Sequence, residues 1–275
     1  MKAVALTRYL PIDDPQSLVD VELETPTATG HDILVRVEAV SVNPVDTKVR
    51  SPKPQVEAQP KVLGYDAAGV VEAVGDAVTR FKPGDTVYYA GDITRSGSNA
   101  QFQLVDERIA GRKPASLDFA QAAALPLTTI TAWELLFDRM PFAADGGKGK
   151  SLLVIAGAGG VGSIAIQLAK RAGFTVIATA SRQDTIDWCK TMGADHVINH
   201  REPLGPQLEA LGFDTIDAAL NLADTDRYWT ALGELLAPLG HVGLIVEPRG
   251  ELRIGDPYKA KSIGIHWEMM FAPPR

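Results

Sequence analysis

Apolar and polar positions follow two different rhythms along this chain. Through the first 105 residues they alternate in short runs, at 2–6, 33–42, 66–74, 86–90 and 100–105. Each run mixes β-branched residues with a two-residue period, which predicts half-buried strands. Turn residues separate them, among them Pro26, Gly30, Pro60, Gly75-Asp76, Pro83-Gly84 and Ser96-Gly97-Ser98. From about Asp118 the rhythm lengthens, and 119–125 and 128–137 read as helices interrupted by Pro126. After Lys150, apolar runs at 151–156, 174–179, 196–198, 215–221, 241–246 and 262–267 alternate with helical patterns at 161–172, 183–192 and 227–236. That alternation predicts an α/β, doubly wound parallel sheet following a β-rich N-terminal region.

The junction at the first of these strands is the most informative point. The run Ser151-Leu-Leu-Val-Ile-Ala156 leads straight into Gly157-Ala-Gly-Gly-Val-Gly162. Val161, Ile164, Ala165, Leu168, Ala169 and Ala172 then recur with the period of one buried helix face. Strand, glycine loop and helix in that order form a dinucleotide-binding fingerprint. Gly157 permits the tight turn, Gly159 lets the main chain approach a pyrophosphate, and Gly162 lets helix and strand pack closely. Gly160 and Val161 open the helix, whose free N–H groups and dipole attract phosphate charge. A purely structural βα turn has the same spacing, but the next elements also fit: Gly173 closes the helix, 174–179 forms a second strand, and Ser181 begins a helix ending at Gly193.

The end of that second strand selects between cofactors. An acid there would accept from the ribose 2′-OH of NAD and repel a 2′-phosphate. The chain instead reads Ala178-Thr-Ala-Ser-Arg182, with no acid before Asp184. Arg182 offers a permanently charged fork and Ser181 a hydroxyl, so NADP(H) is the cofactor expected. The structural alternative has Ser181 capping the next helix, Asp184 completing a capping box, and Arg182 solvated.

At 275 residues, 45% of them hydrophobic, the chain is long enough for two domains with real cores. A net charge of −7 argues against nucleic acid or an anionic membrane as partner. The single cysteine, Cys189, forbids an intrachain disulfide and fits a reducing cytoplasm. It lies in a helical pattern and reads as a packing residue rather than a nucleophile. No run reaches the length of a membrane span, and the N-terminus lacks the apolar stretch of a signal peptide.

A second set of motifs lies in the first half: Val40-Ser-Val-Asn-Pro-Val-Asp-Thr-Lys48, Leu63-Gly-Tyr-Asp-Ala-Ala-Gly-Val70 and the segment 74–87. With 123–132, the glycine loop and Gly193-Ala-Asp-His-Val-Ile-Asn-His200, they run in order along nearly the whole chain. In this the sequence resembles the medium-chain dehydrogenase/reductase superfamily, closest to its zinc-independent quinone oxidoreductases. Ile265-His-Trp-Glu-Met-Met270 is similar to the subgroup labelled zinc-type alcohol dehydrogenase-like. The resemblance implies a GroES-like catalytic domain at 1–120 and a Rossmann NADP-binding domain at 121–275. It also implies homodimers through the last strand of the nucleotide sheet, here 262–267. Relatives continue with a segment that returns to the first domain. This chain stops at Phe271-Ala-Pro-Pro-Arg275, whose prolines do not start a helix well, so a missing return segment and a less stable, more open first domain are expected.

By the same resemblance, Asn43 stands at the first zinc-ligand position, and the family's Gly-His-Glu reads Gly64-Tyr65-Asp66. Zinc needs thiolate, imidazole or carboxylate ligands, so no metal is expected. His196 and His200 flank one strand and need not share a face. Asn43, Asp46, Lys48 and Tyr65 are the implied catalytic residues, with Asn43 and Tyr65 as donors. Turn formation before Pro44, packing beside Gly64, and helix capping by Asp46 are their structural alternatives. Thr128, Thr131, Leu244 and Ile245 are implied to border the nicotinamide, and His200 to lie at the phosphate edge. Loops 49–60 and 91–98 would shape the pocket. The expected activity is hydride transfer from NADPH to a quinone or an α,β-unsaturated carbonyl. A zinc alcohol dehydrogenase and a non-catalytic NADPH-binding protein are the rival classes.

Overall fold

The computed structural model describes residues 1–272, so Pro273, Pro274 and Arg275 lie outside the described residues. The chain divides into two compact units, Met1–Leu127 and the remainder from Thr128.

The first unit is antiparallel. Strands β3 (Asp32–Ser41), β5 (Asp66–Val74), β6 (Thr86–Tyr89), β7 (Phe102–Asp106) and β8 (Ala110–Arg112) form a sheet ordered β7-β3-β5-β6-β8. A smaller sheet joins β1 (Lys2–Tyr9), β2 (Val19–Glu22) and β4 (Lys53–Val62) in the order β2-β1-β4. Inward residues such as Ile33, Val35, Val71, Val87 and Tyr89 fill the core of the larger sheet. Two short helices complete the unit, α1 (Pro44–Arg50) and α2 (Phe119–Ala123). Proline in the first turn of α1 costs no hydrogen bond there, because that N–H has no helical partner. Asp118 caps α2, accepting from Gln121 N at 2.7 Å.

The alternation located β1, β3, β5, β6 and β7 but missed β2, β4 and β8. Residues 49–60, expected as a loop, are largely strand. Pro54 and Pro60 argue against a central strand, and β4 is an edge strand, where a missing N–H is tolerated.

The second unit begins within α3 (Pro126–Trp133), which runs into a wider, π-type turn at Glu134–Arg139. Its sheet is parallel and ordered β11-β10-β9-β12-β13-β14. The strands are β9 (Ser151–Ile155), β10 (Thr175–Thr179), β11 (His196–Ile198), β12 (Ile216–Asn221), β13 (Leu236–Leu244) and β14 (Gly264–Trp267). Helices α4 (Gly160–Ala172), α5 (Gln183–Thr191), α6 (Leu204–Ala210) and α7 (Thr225–Leu235) supply the crossovers. Strand β9 shows why helices cover both faces: Leu152 and Val154 pack with Ala165 and Ile166 of α4, while Leu153 and Ile155 pack with Tyr228 and Leu232 of α7. The strand order reverses between β9 and β12, and doubly wound sheets bind ligands in the crevice at such a point. Gly173, at φ 96°, ends α4 in the left-handed region.

Helix α6 and the first five residues of β13 carried no signal that the periodicity could use. Ile245 lies just past β13 rather than within it, and Ser262, at φ 51°, precedes β14. No helix among the described residues is long and apolar enough to cross a membrane.

Candidate functional site

The glycine loop leaves β9 through Ala156, a non-glycine residue in the left-handed region at φ 61°. Backbone strain of this kind persists where neighbours enforce it. Here the Ala156 N–H donates to Thr179 Oγ1 at 3.0 Å, and the Gly157 N–H to the Thr179 carbonyl at 3.2 Å. The glycines are then needed for distinct reasons. A Cβ on Gly157 would lie 2.7 Å from Ala178 Cβ and 3.1 Å from Cys189 Sγ, so the sole cysteine is packing under the turn. A Cβ on Gly162 would lie 2.4 Å from the Ala156 carbonyl oxygen, and one on Gly160 would lie 2.9 Å from Thr128 Cγ2. Gly159, the N-cap of α4, is different: its Cβ would meet only the Ala156 carbonyl oxygen, at 3.2 Å. Its bareness leaves the helix N-terminus open to a ligand.

Beside this loop lies a cavity of ≈ 280 Å³, lined by Gly159, Thr179, Ser181, Arg182, His200 and Arg201 among others, none of its lining side chains being acidic. Burial, and then Arg227, Arg201 and Arg182, hold the His200 imidazole below its ordinary pKa. Arg227 Nη2 donates to the His200 carbonyl at 2.7 Å. The structure thus brings Ser181, Arg182 and His200 together, as the sequence pattern expects, and adds two arginines that it missed. Arg201 directly follows His200 and was readable as such; Arg227 arrives from α7, with no local signal.

One expectation is corrected. Ser181 does not cap α5; Arg182 is the N-cap residue, and its N–H donates to Thr185 Oγ1 at 3.3 Å, not to Asp184. Asp184 instead faces the Arg182 guanidinium at 3.3 Å in an exposed pair. The helix starts one residue later than the serine suggests, which frees Ser181 to line the cavity.

Within this unit Val161 lies half-buried in the first turn of α4, and Thr128 and Thr131 are buried on α3. Leu244 closes β13 fully buried, with Ile245 following it. A bare glycine over a helix N-terminus and a basic cavity at the end of the second strand fit a dinucleotide.

The first unit holds a separate polar cluster. The side chain of Asn43 donates from Nδ2 to Asp66 Oδ2 at 2.8 Å, and its main-chain N–H donates to Asp46 Oδ2 at 2.7 Å. Asp66 Oδ1 accepts from the Leu127 N–H at 2.8 Å. Asn43 therefore both starts α1 and presents a buried amide, and Asp46 serves the helix start. Lys48 is exposed on the last turn of α1. Asp66 is fully buried, and burial lifts its carboxyl to about 7; the bonds from Asn43 and Leu127 oppose that shift, and Asp46 adds to it. Burial, then Asp46, pushes the phenol of the buried Tyr65 up to about 12, so it remains a proton donor across the ordinary pH range. Asp66 is the residue whose role the sequence did not reveal. It stands in the quoted motif, but only the fold shows it gripping Asn43.

This donor set does not match zinc. Asn43 and Tyr65 are neutral, both oxygens of Asp66 already accept an N–H, and Asp46 Oδ2 accepts the Asn43 main-chain N–H. Among the described residues no group of three or more His, Cys, Asp or Glu side chains is placed to hold a metal ion.

Comparison with known proteins agrees with both units. Residues 29–125 match the alcohol dehydrogenase GroES-like domain, and residues 160–261 match the zinc-binding dehydrogenase family. A zinc-type alcohol dehydrogenase-like protein of Staphylococcus aureus (strain Mu50) is 45% identical over 276 residues, spanning 100% of this chain and 82% of that protein. A crystal structure from Rhizobium etli CFN 42, of a protein assigned as a zinc-dependent alcohol dehydrogenase, matches at 50% identity with a TM-score of 0.91 over 100% of this chain and 80% of that one. The Escherichia coli quinone oxidoreductase complexed with NADPH matches at 26% identity with a TM-score of 0.83, over 98% of this chain and 81% of that one. The fold is thus the expected pairing of a Rossmann sheet with a β-rich GroES-like domain.

Proposed function

The chain belongs to the medium-chain dehydrogenase/reductase superfamily of oxidoreductases, and from that premise we propose that it reduces quinones or α,β-unsaturated carbonyls with NADPH and without a metal ion. The observation that carries the reading is the acid-free cavity with Ser181, Arg182, His200 and Arg201, which suits a nicotinamide cofactor bearing a 2′-phosphate. The E. coli quinone oxidoreductase with NADPH supports the same choice.

The bound nicotinamide supplies a hydride. The chain's residues hold the cofactor, orient the acceptor and stabilise the oxygen on which charge develops. Gly157, Gly159, Gly160, Val161 and Gly162 would hold the pyrophosphate, and Thr128, Thr131, Leu244 and Ile245 would border the nicotinamide. Quinones and enones accept hydride without a Lewis acid, because the charge spreads onto an oxygen that hydrogen bonds stabilise. Tyr65, kept protonated by burial, donates to that oxygen, and the Asn43 amide, fixed by Asp66, supplies a second dipole. Lys48, exposed on the last turn of α1, belongs to the same implied catalytic set, and Asp46 positions α1.

Stopped-flow oxidation of NADPH by a panel of quinones, enones and aldehydes tests the reading. Turnover should persist after exhaustive chelation, and Tyr65→Phe should lower kcat by about 100-fold. Activity that tracks bound zinc would point to an alcohol dehydrogenase, and cofactor binding without turnover to a sensor.

Assembly belongs to the same proposal. Strand β14 lies at the sheet edge with Ile265 and Trp267 exposed, and two-fold pairing of such edges would cover them. Light scattering at micromolar concentration should give a dimer; a monomer would refute the pairing.

A further inference from the structure

Two of the five histidines in the chain meet on the outer strands of the nucleotide sheet, where no step above uses them. Strands β13 and β14 run parallel, with His241 opposite Gly264 and Gly243 opposite His266. The two imidazoles lie on the same face, half-buried, and His241 Nδ1 stands 3.0 Å from His266 Nε2. Glycine at 264 makes this approach possible. A Cβ there would fall 2.5 Å from His241 Nδ1 and 2.8 Å from His266 Nε2.

Both rings are held in place by other groups. Phe142 packs edge-on against His241, with centroids 5.5 Å apart. His266 also hydrogen-bonds the main chain of Arg139. A ring N–H donated to a carbonyl fixes the tautomer and turns the other nitrogen's lone pair inward, as it does for metal-ligating histidines. Burial holds both imidazoles below their ordinary pKa, and Lys150 acts on His241 in the same direction. Imidazole binds metals in its neutral form, which burial favours here.

We propose that His241 Nδ1 and His266 Nε2 form a bis-imidazole site for a tetragonal divalent metal ion, Cu(II) above all. The separation of the nitrogens argues for the geometry. With metal–nitrogen bonds of about 2.0–2.1 Å, a 3.0 Å separation subtends about 91–97° at the metal. That is close to the right angle of a tetragonal site and well short of the tetrahedral angle that zinc prefers. Copper also heads the affinity order for nitrogen ligands. Binding needs both facing nitrogens as lone pairs. The proton now shared between them moves to His241 Nε2, so the metal enters without net proton release. Water fills the remaining positions.

The site is independent of the cofactor cavity and of the Asn43–Asp66 cluster, so its test is separate from turnover. Cu(II) is titrated into the full chain in a weakly coordinating buffer, followed by calorimetry and by electron paramagnetic resonance. One equivalent should bind, with hyperfine structure from two imidazole nitrogens, and Zn(II) should bind at least tenfold more weakly. His266→Gln should weaken Cu(II) binding at least tenfold. Gly264→Ala, which keeps both histidines but intrudes between them, should do the same, while His200→Gln should leave it unchanged. Thermal melts of the variants confirm that they remain folded. A first equivalent bound through fewer than two nitrogens, or binding undiminished in both His266→Gln and Gly264→Ala, overturns the proposal.

Discussion

The glycine loop after β9 and the polar cluster around Asp66 both occupy strand ends, but they are specified in opposite ways. The loop depends on side chains that are absent. Gly157, Gly160 and Gly162 are required because a Cβ at each would strike a neighbour, whereas a Cβ on Gly159 would meet only the Ala156 carbonyl oxygen, so its bareness keeps the helix start open. The cluster depends on side chains that are present and locked, with Asn43 and Leu127 both donating to one buried carboxyl. A site made of main chain is written in local spacing. A site made of side-chain hydrogen bonds is written in tertiary contacts, here between residues 23 and 61 positions apart.

The strongest way to break this comparison is to put a side chain into the loop. Gly162→Val places a Cβ 2.4 Å from the Ala156 carbonyl oxygen and close to Gly157, and main-chain atoms cannot move aside as a flexible side chain can. Displacing the loop by about an ångström should cost NADPH affinity on the order of 100-fold or more. Overpacking should add about 1–3 kcal/mol of destabilisation. Fluorescence titration and thermal melts measure both. Hydrogen exchange of β5, in the other unit, should be unchanged. Retained affinity would mean that the loop does not hold the pyrophosphate.

This asymmetry also explains what the sequence made legible. The parallel sheet and its glycine loop were readable because each βα unit is local: the run into β9, the glycines, and Gly173 closing α4 all fall within 23 residues. Strand β4 was not, because its two prolines are admissible only at an edge, and edge position is a property of the whole sheet. Ser181 was misplaced as a cap because a serine before a helix satisfies the local rule equally well one residue either side. Arg227 and the grip of Asp66 on Asn43 had no local signature at all. They come from a different crossover and a different strand.

A substitution in the cavity sharpens the comparison by separating cofactor choice from folding. Arg182 pairs with Asp184 at 3.3 Å, with 66% and 72% of the two side chains exposed, and so exposed a pair contributes little to stability. Arg182→Ala should therefore leave the melting temperature nearly unchanged while weakening NADPH binding by about 1.5–3 kcal/mol, the worth of a charged hydrogen bond. NADH binding should barely change. Equal losses for the two cofactors would remove the 2′-phosphate from this end of the cavity. His200 refines the result: its pKa lies below the ordinary value, and NADPH affinity should rise as pH falls through its titration if the protonated ring meets the phosphate.

The smallest effect concerns the Asp66 carboxyl and the sign of its titration. Burial raises it to about 7 in the folded chain, against an ordinary carboxylate value near 4 when unfolded. Folding thus favours the protonated form. The stability this confers is fully present below about pH 4 and is lost as pH rises to about 7, with no further change above it. Glu268, in the other unit, is also lifted to about 7 by burial and Glu134, so the pH profile of the native protein mixes both. The difference between native protein and Asp66→Asn isolates one. Asparagine keeps the shape and one acceptor oxygen, at a cost in hydrogen bonding that does not depend on pH. Urea denaturation from pH 4 to 8 should show the native protein losing on the order of 1–2 kcal/mol relative to the variant, after relaxation and water penetration reduce the full linkage. A pH-independent difference would mean that Asp66 ionises normally, and the neutral, hydrogen-bonded cluster on which Asn43 depends would then have to be redrawn as an ordinary carboxylate site.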